Sequence, residues 1–158
     1  MIGVWDDHDY GLNDAGTEMP FKQRNRELWL DFINEPADSD RRLQSDTPIH
    51  QDYFVQKGDL KVHIILLDNR YDYDKYGTGD RLGESQWAWL DETLANGKDV
   101  NLTLIGAGIQ ILPDRVSKLP VEQFKTANKL KLLSLLKKHQ MSNVVLLSGD
   151  VHLAQFYA

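Results

Sequence analysis

The sequence predicts an α/β fold on three observations. Short apolar runs typical of strands alternate with stretches of helical periodicity, and no repeat or low-complexity segment breaks the alternation. The 158 residues include 41% hydrophobic and 27% charged side chains. That length and composition fit one globular domain over residues 1–158.

The first third of the chain predicts one strand and one helix. Residues 2–5 form the expected strand, which leads into an acidic loop over 6–16. A helix then opens at Pro20, since proline suits a first helical turn. The apolar stripe expected for this helix is Leu28, Phe32 and Ile33. Residues 34–36 end the helix, and a polar loop follows over 37–48.

Two strands joined by a tight turn are predicted next. The runs 53–56 and 60–68 flank Lys57-Gly58-Asp59, a plausible hairpin turn. Within the second run, residues 64–67 are apolar without alternation, which is typical of a strand covered on both faces. Residues 70–81 have no periodicity and are expected to form a loop.

Two helices and two strands complete the expected order. Ser85 is the predicted cap of the first helix, and Asn96-Gly97 ends it. The stripe of that helix is Trp87, Leu90 and Leu94. Residues 102–105 predict a strand, 123–140 a long helix and 144–147 a last strand. The stripe expected for the long helix is Leu130, Leu133 and Leu136.

Composition excludes several functional classes. The 24 acidic and 18 basic side chains give a net charge of −6, which argues against a nucleic-acid-binding surface. No apolar run approaches the length of a membrane span. The absence of cysteine excludes thiolate metal sites and a cysteine nucleophile. No serine-nucleophile elbow, phosphate-binding P-loop or dinucleotide fingerprint is present, so acyl-enzyme and kinase chemistry have no support.

Polar or glycine-rich turns follow four of the predicted strands. Ligand sites in open α/β sheets form at strand ends. We therefore expect these four turns to converge on one site. They are residues 5–9, 68–70, 106–110 and 148–152.

The first of these turns is strongly acidic, with Asp6, Asp7 and Asp9 around His8 and with Asp14 close behind. Two unit charges about 5 Å apart at a dielectric near 20 repel by roughly 3 kcal/mol, so such a turn needs solvent, protons or a cation. Carboxylate with imidazole suits iron, zinc or manganese, and extra carboxylates also admit calcium or magnesium. The alternative is an exposed acidic turn whose aspartates cap local amides.

The last turn adds an aspartate and a histidine two positions apart. Asp150 and His152 share one side of an extended segment, where a cation could meet both. A shared metal site requires the fold to bring Asp7 beside them, and a chance pairing is the alternative. The remaining histidines show no such spacing and are expected to be structural or without a partner: His50, His63 and His139.

Four segments in order resemble the PhoD-like alkaline phosphatases, a branch of the calcineurin-type metallophosphoesterases. The resemblance covers nearly the whole chain and implies a layered α/β/β/α sandwich, here truncated on its N-terminal side. The four segments are WDDHDYG at 5–11 with NDAG at 13–16, LLDNRY at 66–71, LGESQWAWL at 82–90 and LSGDVHLA at 147–154.

The resemblance implies hydrolysis of phosphate mono- or diesters by a metal-activated water. Asp7, Asp150 and His152 fall on metal-binding positions, with Asp150 replacing a histidine. His8 falls on the histidine that contacts phosphate or protonates the leaving group, and Asp9 falls on the carboxylate that orients it. The metals implied are iron with calcium, with zinc, manganese and magnesium as alternatives.

Two further residues are candidates for contact with the phosphoester substrate. Arg70 lies at a strand end and offers a bidentate guanidinium, although a structural salt bridge is an equal alternative. Asn13 follows the acidic turn and either orients the loop or contacts substrate.

The departures from the family open a second hypothesis. The family's first ligand turns lie upstream of the strand at 2–5 and have no counterpart here. An inactive remnant or interaction module is therefore the main alternative to an enzyme, and a calcium-binding structural domain is a third. A truncated sheet would expose an edge and promote self-association. No signal peptide is visible, although the family is often exported, so localisation stays open.

Overall fold

The computed structural model describes residues 1–113, 122–152 and 154–156. Of the four motifs, only Leu153 lies outside these residues. The strands of the described residues are β1 (Gln51–Lys57), β2 (Leu60–Leu67), β3 (Leu102–Ala107) and β4 (Val144–Ser148). They form one mixed sheet in the order β1-β2-β3-β4, with β1 antiparallel to β2 and the other two pairs parallel. The predicted α/β class is confirmed.

Five helices accompany the sheet in the described ranges. They are α1 (Asp7–Tyr10), α2 (Lys22–Phe32), α3 (Asp40–Leu43), α4 (Gly83–Asn96) and α5 (Thr126–Lys138). Two of them, α1 and α3, are short helices within segments that were expected to be loops. No helix found in this part of the chain has the length and apolar character needed to cross a bilayer.

One face of the sheet forms the main core. Ile65 and Leu67 of β2 and Ile105 of β3 are fully buried, together with Leu90 and Leu94 of α4 and Leu132 of α5. The stripe predicted for α4 is confirmed. On α5, however, Leu130 is 56% and Leu133 40% exposed, and the helix buries Asn128 and Leu132 instead. The predicted stripe was therefore wrong at Leu130 and Leu133, while Leu136 packs partly buried against the core.

The opposite face of the sheet is apolar but only partly buried. Burial in β2 and β3 alternates between buried and half-buried positions. On β4, Val145 is 44% and Leu147 51% exposed. The expectation that residues 64–67 would be covered on both faces was therefore wrong for the described chain. No strand pairs with the outer side of β4 within the described ranges.

A second, aromatic cluster packs around α2. Trp5, Tyr10 and Tyr71 are buried in it, and the Trp5 and Tyr71 rings stack at 6.4 Å. The inward face of α2 carries Arg26, Trp29, Leu30 and Ile33. Phe32 is 75% and Leu28 54% exposed, so the stripe predicted for α2 was wrong except at Ile33.

Arg26 explains why α2 turns a charged residue inward. Its side chain is 1% exposed and donates hydrogen bonds to the backbone oxygens of Arg41, Gln44 and Thr47. These bonds satisfy a buried guanidinium, whose burial is otherwise costly. Hydrophobic periodicity cannot reveal such acceptors because they come from a distant loop.

The predicted hairpin, the loop at 70–81 and the strands at 102–105 and 144–147 are confirmed. Residues 2–5 are not a strand, because they pair with none of the four strands of the described sheet. Instead, the N-terminal amine donates to the Ile33 carbonyl and Arg41 donates to the Gly3 carbonyl, so the segment lies against the α2 region. Ser85 does not cap α4, which begins two residues earlier at Gly83.

Candidate metal centre

The ends of the three parallel strands and the acidic turn meet at one edge of the sheet. Asn69, just after β2, accepts a hydrogen bond from the Gly108 amide at 2.8 Å and donates to Asp6 at 3.3 Å. The Gly149 amide, just after β4, donates to the Gly108 carbonyl at 3.0 Å. The convergence expected from the sequence is present, although the first turn does not follow a strand.

Asp68 anchors the N-terminal segment to this edge. Its buried carboxylate accepts hydrogen bonds from the Trp5 indole at 2.8 Å and from the Ile49 amide at 2.9 Å. The Gln86 side chain bonds both the amide and the carbonyl of Asp68. These bonds fix where the chain enters the acidic turn, so Asp68 serves structure rather than ligand binding.

Glycine is required where the turns touch. A Cβ atom on Gly108 would lie 2.7 Å from Cγ of Asp6, and one on Gly149 would lie 2.9 Å from the Gly108 carbonyl oxygen. Both distances are shorter than real Cβ contacts allow. The absence of side chains at these positions lets Asp6 and Asp150 approach each other.

Two groups of carboxylates at this edge could each hold a cation. The first is Asp6, Asp7 and Asp150, and the second is Asp7, Asp14 and Glu122. In each group one oxygen from every member lies within 4.8 Å of the others. Asp7 belongs to both groups, so the two positions share a ligand.

Asp7 is held in place by the backbone. It is 5% exposed, and its two carboxylate oxygens accept from the His8 amide at 2.8 Å and the Asp14 amide at 3.0 Å. Burial alone raises its pKa, but these hydrogen bonds and the charge of Arg70 outweigh burial, and the pKa lies below its ordinary value. Asp7 is therefore ionised at neutral pH and presents a fixed negative charge.

The pKa values of Asp6, Asp14 and Asp150 are raised above the ordinary value. Burial raises the pKa of Asp6, which Arg70 only partly offsets. Burial and the negative charges of Asp6, Asp7 and Glu122 raise the pKa of Asp150. Burial and Glu122 do the same for Asp14. A bound cation would relieve this mutual repulsion.

Arg70 is fully buried and pairs with carboxylates of both groups. Its Nε donates to Asp6 at 2.7 Å, and its Nη2 lies 2.5 Å from oxygens of Asp6 and Glu122. Arg81 adds a second bond to Glu122 at 2.8 Å. The guanidinium of Arg70 is thus engaged inside the protein, as the salt-bridge alternative expects.

The residues with predicted chemical roles around Asp7 lie on the surface. His8 and Asp9 are exposed in α1, and Asn13 is exposed in the turn before Asp14. Asp9 accepts from the Asp6 amide at 3.3 Å, and the structure shows no hydrogen bond between the side chains of His8 and Asp9, both of which it describes. His8 is exposed to solvent, whereas Asp9 closes the first turn of the helix.

The last turn has an unusual backbone. Asp150 and His152 have positive φ angles of 75° and 55°, and Asp14 has 55°. Aspartate and histidine tolerate this region better than most residues. His152 is exposed and belongs to neither carboxylate group, whereas Asp150 meets Asp7 across the sheet edge.

Glu122 is the member of these groups that sequence reasoning missed. It follows neither a predicted strand nor an acidic run, and its role depends on the two arginines that hold it. Asp14 was counted in the acidic loop but was not assigned as a ligand. The signal that could have found it is the NDAG segment, which places Asp14 seven residues after Asp7.

Comparison with protein-family models, with curated proteins and with solved structures finds no match to this chain in any of the three.

Proposed function

We propose that this chain carries a two-cation centre that hydrolyses phosphate mono- or diesters, as in the alkaline phosphatase D type. The observation that carries the proposal is the shared Asp7, whose carboxylate joins two cation-sized groups built from distant parts of the chain. Two cations about 3.5–4 Å apart are the arrangement that phosphoester hydrolases use. The motif resemblance adds the substrate class.

The charge balance of the site fits bound cations. Five carboxylates, those of Asp6, Asp7, Asp14, Glu122 and Asp150, face two guanidinium groups, those of Arg70 and Arg81. Three formal negative charges are left without a partner of opposite sign in the described part of the centre. An all-carboxylate donor set suits calcium, magnesium and manganese. Iron or zinc would also need an imidazole ligand, for which His152 is the candidate. Iron with calcium is the pair that the resemblance favours.

This proposal gives a chemical role to the residues of the centre. Cations at the two groups would polarise the phosphoryl oxygens and favour ionisation of an attacking water. Two backbone amides donate to the Asp7 carboxylate and favour its charged form. Arg70 keeps Asp6 and Glu122 in place through ion pairs. His8, exposed beside Asp7, donates a proton to the departing alkoxide. Asn13, in the turn before Asp14, lies on the exposed side of the centre and serves as a substrate contact.

The test combines metal binding with turnover. Purified chain is loaded separately with Mn²⁺, Ca²⁺ and iron, and hydrolysis of p-nitrophenyl phosphate and its diester is followed. Asp7→Asn should abolish turnover and weaken binding of both cations, because it removes a charge from both groups. Asp74→Asn is the matched control, since Asp74 belongs to neither group. An unsubstituted chain that binds no cation, or equal turnover in Asp7→Asn, would refute the proposal.

We propose further that the sheet is one of the two central sheets of a layered α/β/β/α sandwich. The half-exposed apolar face with Val145 and Leu147 supports this, because two sheets pack through such faces. The open side of β4 also favours self-association. Analytical ultracentrifugation of the chain tests this, and a strict monomer at high concentration would contradict self-association.

A further inference from the structure

Glu122 is clamped between two buried arginines. Nη2 of Arg81 donates to one carboxylate oxygen at 2.8 Å, and Nη2 of Arg70 lies 2.5 Å from the other. Both arginines are at most 2% exposed. One oxygen of Glu122 is thus hydrogen-bonded to Arg81 and the other forms an ion pair with Arg70, and both contacts restrict the orientation of the carboxylate.

Arg81 is itself fixed by its surroundings. Its guanidinium stacks over the Tyr73 ring at 3.6 Å, and its amide donates to the Asn128 side chain on α5 at 2.9 Å. Asn128 is buried and also donates to the Gly79 carbonyl at 3.0 Å. The clamp on Glu122 is thus set by the packing of α5 and the loop at 70–81, both outside the acidic groups.

We propose that Arg81 is a positioning residue of the metal centre, which orients Glu122 so that Asp7, Asp14 and Glu122 take a cation tightly. This rests on the proposed function and deepens it. Partners that orient metal ligands typically contribute 10–100-fold to metal affinity. Arg81 makes no hydrogen bond or ion pair with Asp6, Asp7 or Asp150, so we expect its larger effect on the cation at the group that contains Glu122.

The direction of the change in cation affinity distinguishes a positioning role of Arg81 from a purely electrostatic one. A guanidinium near a cation repels it, so its removal would tighten cation binding if Arg81 acted only through its charge. If Arg81 acts by holding Glu122, its removal loosens binding despite the relief of repulsion. The two roles therefore predict opposite changes in affinity.

The experiment titrates the full chain with Mn²⁺ by isothermal calorimetry, with the fold of each variant checked by circular dichroism. The unsubstituted chain should bind two equivalents. Arg81→Met should weaken one equivalent by about 10–100-fold and leave the other within about twofold. Arg41→Met is the control, since Arg41 is equally buried but packs beside Trp29. Glu122→Gln should weaken the same equivalent, and adding Arg81→Met to it should change nothing further.

Each remaining outcome overturns the inference. Unchanged or tighter binding of both equivalents in Arg81→Met would remove Arg81 as a positioning residue while leaving the proposed function intact. An equal loss in Arg41→Met would show general destabilisation. Absence of Mn²⁺ binding by the unsubstituted chain would defeat both proposals. If Arg81→Met does not fold, Arg81→Gln gives the same test, because glutamine lacks the positive charge that pairs with Glu122 and is too short to keep the contact made by Nη2; undiminished affinity in Arg81→Gln would then overturn the proposal.

Discussion

Neutralising Asp150 should stabilise the metal-free protein. Its oxygen lies within 4.8 Å of oxygens of Asp6 and Asp7. At that distance one pair of like charges repels by about 3.5 kcal/mol at a dielectric of 20, and by about 0.9 kcal/mol in water. Asp150 is partly exposed and Arg70 offsets part of the repulsion, so Asp150→Asn should gain about 1 kcal/mol. That gain corresponds to about 2–4 °C in Tm for a domain of this size.

The order of stability should reverse when metal is added. A cation at about 100 times its Kd stabilises the protein that binds it by about 2.7 kcal/mol. The unsubstituted chain should therefore have the higher Tm in saturating Ca²⁺ or Mn²⁺, whereas Asp150→Asn should have the higher Tm in EDTA. Differential scanning calorimetry under both conditions measures the crossing.

Asp74→Asn is the control for this crossing. The Asp74 carboxylate accepts from the Thr78 amide and hydroxyl and from the Gly77 amide, and these bonds lower its pKa. Its neutralisation should destabilise the chain equally with and without metal. The reasoning about Asp150 fails if Asp150→Asn is less stable than the unsubstituted chain in EDTA, or if metal raises both Tm values by the same amount.

Three further predictions concern the proposed acid His8, the half-buried His50 and the main core. His8→Ala should slow hydrolysis by about 10²–10⁴-fold for an alkyl phosphate and by less for p-nitrophenyl phosphate, whose leaving group needs little protonation; equal losses in steady-state assays would argue against an acid role. Burial lowers the pKa of His50 from 6.5 to about 4. The histidine is therefore protonated at a higher pH in the unfolded chain than in the folded protein, and the free energy of unfolding falls by on the order of 3 kcal/mol as pH drops from 6.5 to about 4. In urea unfolding at several pH values, the free energy of unfolding of His50→Gln should depend less on pH than that of the unsubstituted chain. An unchanged dependence on pH would contradict this prediction. Leu90→Ala should cost about 2–5 kcal/mol, whereas Leu130→Ala, on the exposed side of α5, should cost under about 0.5 kcal/mol; similar costs in denaturant melts would contradict the burial pattern.

Local patterns in the sequence predict the fold where the interactions are local. The hairpin turn at Gly58 and the stripe of α4 are both determined by residues close together in the chain. The stripe of α2 could not be predicted, because Arg26 turns inward to carbonyls of a separate loop. The expected strand at 2–5 failed similarly, since Val4 and Trp5 pack beside α2 rather than joining the sheet.

In the candidate site, too, local sequence patterns predict some members, and the others depend on contacts between distant parts of the chain. Asp150 could be proposed from a turn that follows a strand, because sheet topology brings such turns together, whereas Asp7 was found from its acidic turn although no strand precedes that turn. Glu122 could not, because the two arginines that orient it lie 41 and 52 positions away in the chain. Its place in the centre depends on tertiary packing, and no spacing in the sequence records it.

The mixed direction of the sheet has a consequence for the order of folding. The ladder between β1 and β2 closes across a turn at Gly58 and Asp59, so its contacts are local and form quickly. β3 and β4 join only after α4 and α5 have returned the chain to the same side, which demands closure of much longer loops. The acidic edge lies at the ends of these strands, so we expect the centre to be assembled in the final steps of folding.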